Sequence, residues 1–361
     1  MKQIKVAYIQ GRPCAHPMHR KFAESVNATF HFVDFKMRWQ DKNKFILYRI
    51  ISWFVCAITF PLKRKYEIFL VDNLHFMPVI MKSFRLISKK QKIVAHLGSH
   101  TLYFIYTHRF SRFTEYLHIQ ALKRYDALIC EGEMAEMLVK NILGEKTPKL
   151  YTVINGIPSN HFPKQQNITS IDNHKNILFI GQGPGQNRLW YKGLDLMLEA
   201  FSIALKEDSE LTFTIVGDWE DKLKVELLNL YSIETQKAIH FIGNTEKLDI
   251  FLNKSSFYLH CARGEAYGLT VLIAMSYGIP PLISEWTGTK EVVEKVSKEL
   301  ISPLDAKIIA NKINWFFGLT DTEKKKLSQK CMEIGQLYTE ENAIQYFKKQ
   351  FNQLEKDFQF K

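Results

Sequence analysis

The stretch from Cys261 to Ser284 carries residue types suited to binding a charged ligand. It begins as a strand end, continues as a turn containing Gly264 and Gly268, and becomes an apolar helix that a later glycine and proline end. A glycine-bearing turn that leads into a helix presents unpaired N–H groups and the positive end of the helix dipole, an arrangement suited to a diphosphate. The carboxylate of Glu265, at the mouth of this turn, can accept hydrogen bonds from sugar hydroxyls. The simpler alternative is a strand–turn–helix unit with a solvated glutamate.

Other motifs precede and follow this stretch. They are Asn155-Gly-Ile with Phe162, Lys192-Gly-Leu-Asp-Leu-Met-Leu-Glu-Ala-Phe, Phe213-Thr-Ile-Val-Gly-Asp, and Ser284 with Gly288 and Glu291-Val-Val. In this order, and together with Glu265, Gly268, Leu269, Val271, Leu272, Ala274, Met275, Gly278 and Pro280, they resemble the landmarks of retaining glycosyltransferase family 4, the group 1 glycosyltransferases of GT-B fold. The resemblance covers the C-terminal half well and the N-terminal half only in its alternation of strands and helices.

The resemblance implies a nucleotide-sugar site and gives each residue a role. Lys192 would hold the donor diphosphate as a point charge, although a solvated lysine at a helix start is the plainer interpretation. Glu265 would contact the donor sugar. The backbone amides expected to meet sugar hydroxyls and phosphate are those of Tyr267, Gly268, Leu269 and Thr270. In this family the anomeric configuration is retained and the leaving phosphate helps to deprotonate the acceptor, so the protein would contribute placement and charge stabilisation.

Three positions depart from the family pattern. The second glutamate, which holds the ribose hydroxyls, is replaced by Ile273, so another group holds the ribose, the donor differs, or turnover is weakened. Gln182 stands where the family has a phosphate-binding arginine, and Arg188, within the apparent insertion Gly-Pro-Gly-Gln-Asn-Arg-Leu-Trp, is a candidate for supplying that charge. The first loop has one glycine, Gly11, in place of the usual pair, and the resemblance implies that it lies near the donor phosphates or the acceptor.

The resemblance also implies a histidine at the tip of the fourth strand of the N-terminal domain. His96 and His100, in Ala-His-Leu-Gly-Ser-His, both qualify, and the sequence does not choose between them. A lone histidine on a strand is more often structural than catalytic.

The elements that position these residues alternate along the whole chain. In the first half, the predicted strands are Val6–Gln10, Thr29–Phe35, Tyr66–Asp72, Lys92–Leu97, Asp126–Cys130 and Leu150–Ile154, with helices at Phe22–Val26, Phe45–Leu62, Val79–Ile87, Phe110–Arg124 and Met134–Leu143. In the second half, the predicted strands are Asn176–Ile180, Leu211–Val216, Ile239–Ile242, Phe257–His260 and Pro281–Ser284, with helices at Leu194–Lys206, Lys222–Tyr231, Lys247–Lys254, Leu269–Tyr277 and Glu340 to about Phe358. Short apolar strands between helices indicate parallel sheets covered on both faces.

This alternation predicts an α/β protein of two doubly wound, Rossmann-like domains, and the resemblance implies that they face each other across a cleft. We expect an acceptor-binding domain over 1–156, a polar linker over 157–175, a nucleotide-sugar-binding domain over 176–337, and a C-terminal helix over 338–361 that packs back on the first domain. With 361 residues, the chain is long enough for two cores.

The charge is unevenly divided. Residues 1–150 hold 25 Lys and Arg against 11 Asp and Glu, whereas the rest of the chain holds 24 against 26. A basic half of this kind usually faces a polyanion, either an anionic membrane or a nucleic acid. No nucleic-acid-binding motif accompanies the charge, so we expect a membrane contact and no nucleic acid.

Cysteine usage and hydropathy indicate the compartment. Five scattered cysteines without a C-x-x-C pair fit a reducing environment, and the N-terminus lacks the features of a signal peptide. In Phe45–Leu62, only about 12 residues separate Arg49 from the basic run that starts at Lys63, too few to span a bilayer. The segment is either a buried crossover helix or an interfacial one. The aromatic and basic run Tyr103–Phe113 either packs or lies at a headgroup surface. We expect a cytoplasmic protein, with peripheral attachment to the inner membrane face left open.

The chain therefore predicts a hexosyltransferase-type, retaining transfer from a nucleotide-sugar to a saccharide, lipid-linked or cell-envelope acceptor. Because no D-x-D motif occurs, we expect no metal and no cofactor. The alternative is a non-catalytic, glycosyltransferase-like subunit that binds a nucleotide-sugar or acts as a scaffold, which Ile273 motivates.

Overall fold

The computed structural model describes residues 4–10, 17–32, 66–73, 77–98, 100–163, 175–183 and 185–360. The chain forms two compact units, one made of Met1–Ile154 with Glu341–Lys361 and the other of Asn155–Glu340. Gly11, the helix predicted at Phe45–Leu62 and the central part of the predicted linker, 164–174, lie outside the described residues.

The first unit is built on a six-stranded parallel sheet. Its strands are β1 (Val6–Gln10), β2 (Thr29–Phe32), β3 (Ile68–Asp72), β4 (Lys92–Leu97), β5 (Ala127–Glu131) and β6 (Lys149–Val153), in the spatial order β2-β1-β3-β4-β5-β6. Its helices are α1 (Pro17–Ser25), α2 (Met77–Ser83), α3 (Thr101–Tyr106), α4 (Arg112–Leu122) and α5 (Gly132–Leu143). The central strands are apolar and buried along almost their whole length, as expected for a parallel sheet with both faces covered.

The last helix, α15 (Glu340–Asp357), belongs from Glu341 onward to this first unit. The ring of Phe347 stacks on that of Phe22 in α1, with the centroids 4.6 Å apart. The Tyr151 hydroxyl donates a hydrogen bond of 2.6 Å to the Asp357 carboxylate, which ties the end of the helix to β6.

The second unit repeats the architecture with a different strand order. Its strands are β7 (Asn176–Ile180), β8 (Thr212–Val216), β9 (Ile239–Gly243), β10 (Phe257–His260), β11 (Pro281–Ser284) and β12 (Ile301–Ser302), in the spatial order β12-β11-β10-β7-β8-β9. Its helices are α6 (Gln186–Lys192), α7 (Leu194–Glu207), α8 (Asp221–Leu228), α9 (Ile233–Lys237), α10 (Leu248–Asn253), α11 (Leu269–Ser276), α12 (Lys290–Val293), α13 (Ala306–Gly318) and α14 (Asp321–Gly335). This is the Rossmann order, in which the strand sequence reverses between β7 and β10. Ligands of open α/β sheets bind at the carboxyl ends of the strands at such a reversal.

The strands were easier to predict than the helices. Five strands have the predicted bounds: β1, β4, β7, β10 and β11. Helix α6 was not predicted, and most of it lies in the segment interpreted as an apparent insertion. Helices α13 and α14 were not predicted, although Asp305 and Thr320 cap them through their side chains. Within the described ranges, no helix combines the length and the apolar character needed to cross a bilayer.

Candidate active site

Two predicted residues meet at the point where the strand order of the second unit reverses. Lys192 follows β7 along the chain, Glu265 follows β10, and the Lys192 Nζ contacts the Glu265 Oε2 as an ion pair. The Lys192 side chain is 10% exposed and that of Glu265 is 17% exposed. The lysine is therefore not a solvated helix-start residue, and the glutamate is not a solvated turn residue.

A glycine joint brings Lys192 to this position. Lys192 is the last residue of α6, and Gly193 both ends that helix and begins α7 with a left-handed φ of +71°. A Cβ at Gly193 would overlap the Cys261 carbonyl oxygen, so a side chain there is excluded by space as well as by φ. The Arg263 N–H donates to the Tyr191 carbonyl over 2.7 Å. The joint between the helices is thus held against the loop that carries Glu265.

Arg263 is a structural clamp that the sequence did not reveal. Its guanidinium makes a bidentate pair with the Asp195 carboxylate, at 2.6 and 2.9 Å, and donates to the Trp190 carbonyl at 2.6 Å. Bidentate arginine–carboxylate pairs are short and geometrically specific. Because Arg263 lies two residues before Glu265 and Asp195 three residues after Lys192, this clamp fixes the spacing between the two segments of the ion pair.

The loop of Glu265 is supported from the other side by β11 and the turn that follows it. The Gly288 N–H donates to the Glu265 carbonyl over 3.0 Å, and a Cβ at Gly288 would overlap the backbone of Ala266. The Thr287 hydroxyl donates to the His260 carbonyl over 3.3 Å. The predicted resemblance of Ser284 and Gly288 to a family motif therefore marks residues that hold the loop in place.

His260 is a second partner of Glu265 and was not predicted. Its fully buried ring has Nε2 3.5 Å from the Glu265 Oε2 and Nδ1 3.4 Å from the Tyr258 hydroxyl. Burial lowers the pKa of His260, although the neighbouring carboxylate acts in the opposite direction. The imidazole is therefore neutral near pH 7 and can present an N–H to Glu265.

Glu265 is held in its charged form. Burial would raise its pKa, but the Lys192 ammonium and the nearby His260 outweigh burial and hold the pKa well below its usual range. Burial, and next the charge of Glu265, raise the pKa of the Tyr191 phenol. The site at neutral pH thus contains a paired carboxylate and ammonium, with a neutral histidine and a neutral tyrosine beside them.

The start of α11 lies next to this pair. Gly268 precedes the helix with a φ of +84°, and a Cβ there would lie 3.1 Å from the Thr287 Cγ2 and 3.3 Å from the Thr289 Oγ1. The first amides of an α-helix, here those of Leu269 and Thr270, have no carbonyl partner within the helix and can bind an anion. The Tyr267 side chain is buried, so only its backbone is suited to the role predicted for it.

Gln182 and Arg188 are brought together. The Arg188 Nε donates to the Gln182 carbonyl over 2.7 Å, and its guanidinium lies 5.1 Å from the centre of the Tyr191 ring. Arg188 and Lys192 are four residues apart in α6 and so lie on the same side of the helix. The inserted segment therefore presents an arginine and a lysine together near the end of β7.

Ile273, in the place of the family's second glutamate, lies on α11 and is 4% exposed. Its neighbours along the helix are apolar and buried as well. This position offers no carboxylate for ribose hydroxyls.

The two candidate histidines of the first unit have different surroundings. His96 is fully buried in β4, with Nε2 3.1 Å from the Glu131 Oε1. His100 lies before α3 and packs edge-on against Phe104, with ring centroids 4.8 Å apart. His96 belongs to a buried cluster, whereas His100 does not touch that cluster through the contacts described.

The buried cluster around His96 was missed by the sequence. His19 of α1 bridges two carboxylates: its Nδ1 lies 2.7 Å from the Asp72 Oδ1, and its Nε2 contacts Glu131. Burial alone would lower the pKa of His19, but the charge of Glu131 and the hydrogen bonds to both carboxylates raise it to about 10. The His19 charge in turn outweighs burial and holds the pKa of Glu131 well below its usual range.

This cluster has the composition of a metal site. His19, His96 and Glu131 offer ligand atoms within 4.8 Å of one another, and they form the one such group in the described part of the chain. Metal ligands must be deprotonated. Because the two carboxylates raise the pKa of His19, a metal at this cluster would have to displace the proton that His19 holds.

Residues 172–336 match the family described as "Glycosyl transferases group 1". The match spans the second unit and confirms the resemblance found in the C-terminal half of the sequence. An uncharacterized glycosyltransferase of Haemophilus influenzae is 26% identical over 150 residues, which are 41% of this chain and 40% of that protein. This chain thus aligns with less than half of that relative.

Solved structures resemble nearly the whole chain. Sucrose-phosphate synthase from Thermosynechococcus elongatus has a TM-score of 0.75 at 14% identity, covering 98% of this chain and all of that one. HepE of Anabaena in complex with UDP and glucose has a TM-score of 0.69 at 13% identity, covering 97% and 99%. WaaG, a glycosyltransferase involved in lipopolysaccharide biosynthesis, has a TM-score of 0.67 at 13% identity, covering 95% and 99%. These likenesses confirm the predicted GT-B fold class.

Proposed function

We propose that this chain, whose second unit matches the group 1 glycosyltransferases, transfers a hexosyl group from a nucleotide-sugar to an acceptor hydroxyl with retention of configuration. The observation that carries the proposal is the buried Lys192–Glu265 pair beside the start of α11, at the reversal of the Rossmann sheet. A cation and helix amides suit the diphosphate of a sugar diphosphate, and the carboxylate beside them suits its sugar hydroxyls.

Each residue has a defined task in this proposal. Lys192 and the amides of Leu269 and Thr270 bind the diphosphate, while Glu265 accepts hydrogen bonds from the sugar hydroxyls. The bond between the anomeric carbon and the phosphate oxygen breaks as the acceptor oxygen bonds to the same face of that carbon. The departing phosphate takes the acceptor proton, so the protein supplies placement and positive charge rather than a general base.

The same residues support transfer without a metal or cofactor. Lys192 and Arg188 lie on one side of α6, and the α11 amides add partial positive charge. These groups can neutralise the charge that develops on the leaving diphosphate, a role that a divalent cation plays in other transferases.

The acceptor is proposed to be a lipid-linked or cell-envelope saccharide, bound by the first unit at the cytosolic face of a membrane. The support is the excess of basic residues in 1–150 and the likeness to WaaG. Peripheral attachment would then be salt-sensitive, because exposed charges are screened within about 10 Å at 0.1 M salt.

A non-catalytic subunit that binds a nucleotide-sugar is the second candidate. The observation that favours it is Ile273, which removes the carboxylate expected for the ribose from α11. Such a subunit would bind a nucleoside diphosphate and its sugar without turnover.

The test is a panel of nucleoside diphosphates and nucleotide-sugars, scored by thermal shift and by release of nucleoside diphosphate. We expect one nucleotide to raise the unfolding midpoint, and Lys192→Ala to weaken its binding about 10- to 100-fold, as for loss of a charged hydrogen bond. Glu265→Ala should abolish turnover while nucleoside diphosphate still binds. Lys222→Ala and Glu226→Ala, an exposed pair with N···O 3.8 Å apart, are the matched controls.

Binding without turnover of any nucleotide-sugar would favour the non-catalytic subunit. Turnover that survives Lys192→Ala and Glu265→Ala would contradict the assigned site. The anomeric configuration of the product, read by NMR, decides between retention and inversion.

A further inference from the structure

The helix α4 carries an unusual exposed apolar face. Phe113, Tyr116 and Leu117, which we call the α4 face, are 71%, 58% and 40% exposed. Their spacing of three and four residues places them on one side of the helix. Ser111 caps the helix by accepting from the Thr114 N–H, so the exposed side chains stand on a well-defined first turn.

Much of the rest of this aromatic segment is buried, although Tyr106 is 39% exposed. Leu102, Tyr103 and Ile105 of α3 pack into the first unit, as do Ala121 and Leu122 at the end of α4. The sequence left open whether Tyr103–Phe113 packs or lies at a headgroup surface. In the structure its first part mostly packs, and its continuation on α4 faces outward. A helix that already buries one side has no need of apolar residues on the other.

The surroundings of the α4 face are basic. Arg112 precedes Phe113 on the chain, and Arg124, which lies in the turn just after the C-terminal end of α4, is exposed as well. Residues 100–124 hold four Lys and Arg and a single acid, Glu115. The Glu115 carboxylate is paired with His108 at 3.0 Å and is 16% exposed. The rim therefore presents positive charge to an approaching surface.

We propose that the α4 face is the membrane-docking surface of the protein and that its partner is an anionic bilayer. The aromatic rings would lie at the headgroup level, while Arg112 and Arg124 contact lipid phosphates. The exposed apolar patch complements the apolar part of the bilayer interface, and the basic rim complements its anionic headgroups. The excess of positive charge, spread over the whole of residues 1–150, favours an extended anionic surface over one acidic protein.

The proposal rests on the membrane part of the proposed function and names its site. It gives a geometric reason for a lipid-linked acceptor, because docking through the first unit would bring that unit to the surface that holds the acceptor.

The first experiment is co-flotation of the full chain with vesicles of phosphatidylglycerol and phosphatidylcholine, compared with phosphatidylcholine alone. We expect binding to the anionic vesicles and a loss of about tenfold or more in partitioning for Phe113→Ser/Tyr116→Ser/Leu117→Ser. Arg112→Gln and Arg124→Gln should each cost about fivefold, equivalent to about 1 kcal/mol per basic residue. The matched control is Leu230→Ser/Ile233→Ser, which changes residues that are 73% and 64% exposed in the second unit.

The second experiment is hydrogen exchange with and without these vesicles, which needs no variant. Protection of the peptide covering 111–122, with none at 221–237, supports the proposal. Vesicle binding with no protection of α4, or equal loss in the control variant, overturns it. Dimerisation through α4 in the absence of lipid, detected by light scattering and abolished in the triple variant, also overturns it.

The failure of this proposal is distinguishable from that of the proposed function. Nucleoside diphosphate binding and nucleotide-sugar turnover are measured in solution, without lipid. The triple variant should retain both, which also shows that it folds. If the chain turns over nucleotide-sugar but does not bind anionic vesicles, the proposed enzymatic function stands and the proposed membrane-docking surface is wrong.

Discussion

Lys192→Met removes the ammonium from the candidate site and leaves Glu265 beside an apolar side chain of similar length. The two side chains are 10% and 17% exposed, so the carboxylate loses its partner in a largely desolvated place. Breaking a buried ion pair by removing one partner costs about 3–5 kcal/mol. We take about 3 kcal/mol, since some solvent reaches Glu265. For a unit the size of Asn155–Glu340, this lowers the unfolding midpoint by about 6–12 °C.

The loss of stability caused by Lys192→Met should depend on pH in a defined direction. In the wild type the folded pKa of Glu265 is depressed, so its contribution is fully present above the unfolded value of about 4.3 and is lost as pH falls through the folded pKa. In Lys192→Met, burial without the ammonium raises the pKa of Glu265, and the variant neutralises it by binding a proton. The difference in unfolding midpoint between wild type and variant should therefore be largest near pH 7 and decrease toward pH 4.

The assay is a set of thermal unfolding scans of the full chain between pH 4 and pH 8, analysed as two transitions because the chain has two units. Lys192→Met/Glu265→Gln should recover part of the loss, since it removes the unpaired charge. Lys222→Met is the control, because its pair with Glu226 is exposed and worth about 0–1 kcal/mol. A midpoint for Lys192→Met within about 1 °C of the wild type across the range would refute the reasoning.

Three other changes test the neighbouring contacts. His260→Leu should lower kcat about tenfold with little change in KM, whereas His260→Gln, which can still present an N–H to Glu265, should retain most of it; equal kcat for both variants would contradict the positioning role. Gly193→Ala should destabilise the second unit by at least about 1 kcal/mol more than Gly185→Ala, because both have positive φ but only Gly193 faces a backbone oxygen; chemical denaturation compares them. The stability from His19 is full below its unfolded pKa of about 6.5 and is lost as pH rises toward its folded pKa of about 10, so the midpoint difference between wild type and His19→Gln should shrink between pH 6 and pH 10.

The sequence predicted those parts of the site that are local along the chain. Glu265, Gly268 and the start of α11 form a strand–turn–helix unit whose glycine and helix signals lie within a dozen residues, and the structure has that unit where it was expected. Lys192 was found through its adjoining Gly-Leu-Asp motif. Its ion pair with Glu265 was not, since the two residues are 73 positions apart and meet only because β7 and β10 are neighbours in the sheet.

The missed residues are buried polar groups that depend on tertiary structure. His19, Asp72 and Glu131, which surround the predicted His96, come from one helix and two different strands, and no motif links them. A single histidine or carboxylate in a sequence is most often solvated. Only the parallel packing of β3, β4 and β5 places their ends together and turns scattered residues into a buried ion network.

Ile273 now has a structural meaning. It is buried on the same helix whose first turn adjoins Glu265. The isoleucine therefore contributes to the packing of α11 and is not a substitution on the protein surface. A glutamate at this position would place a carboxylate between the buried, apolar Leu272 and Ala274, at a cost in desolvation. Under the proposed function, we therefore expect the ribose contact to come from another element of the second unit, and helix α6, with Arg188 four residues before Lys192, is a candidate. Compensation of this kind would preserve diphosphate binding while changing which nucleoside is accepted, which is why nucleotide preference is the property in which this protein should differ most from its relatives.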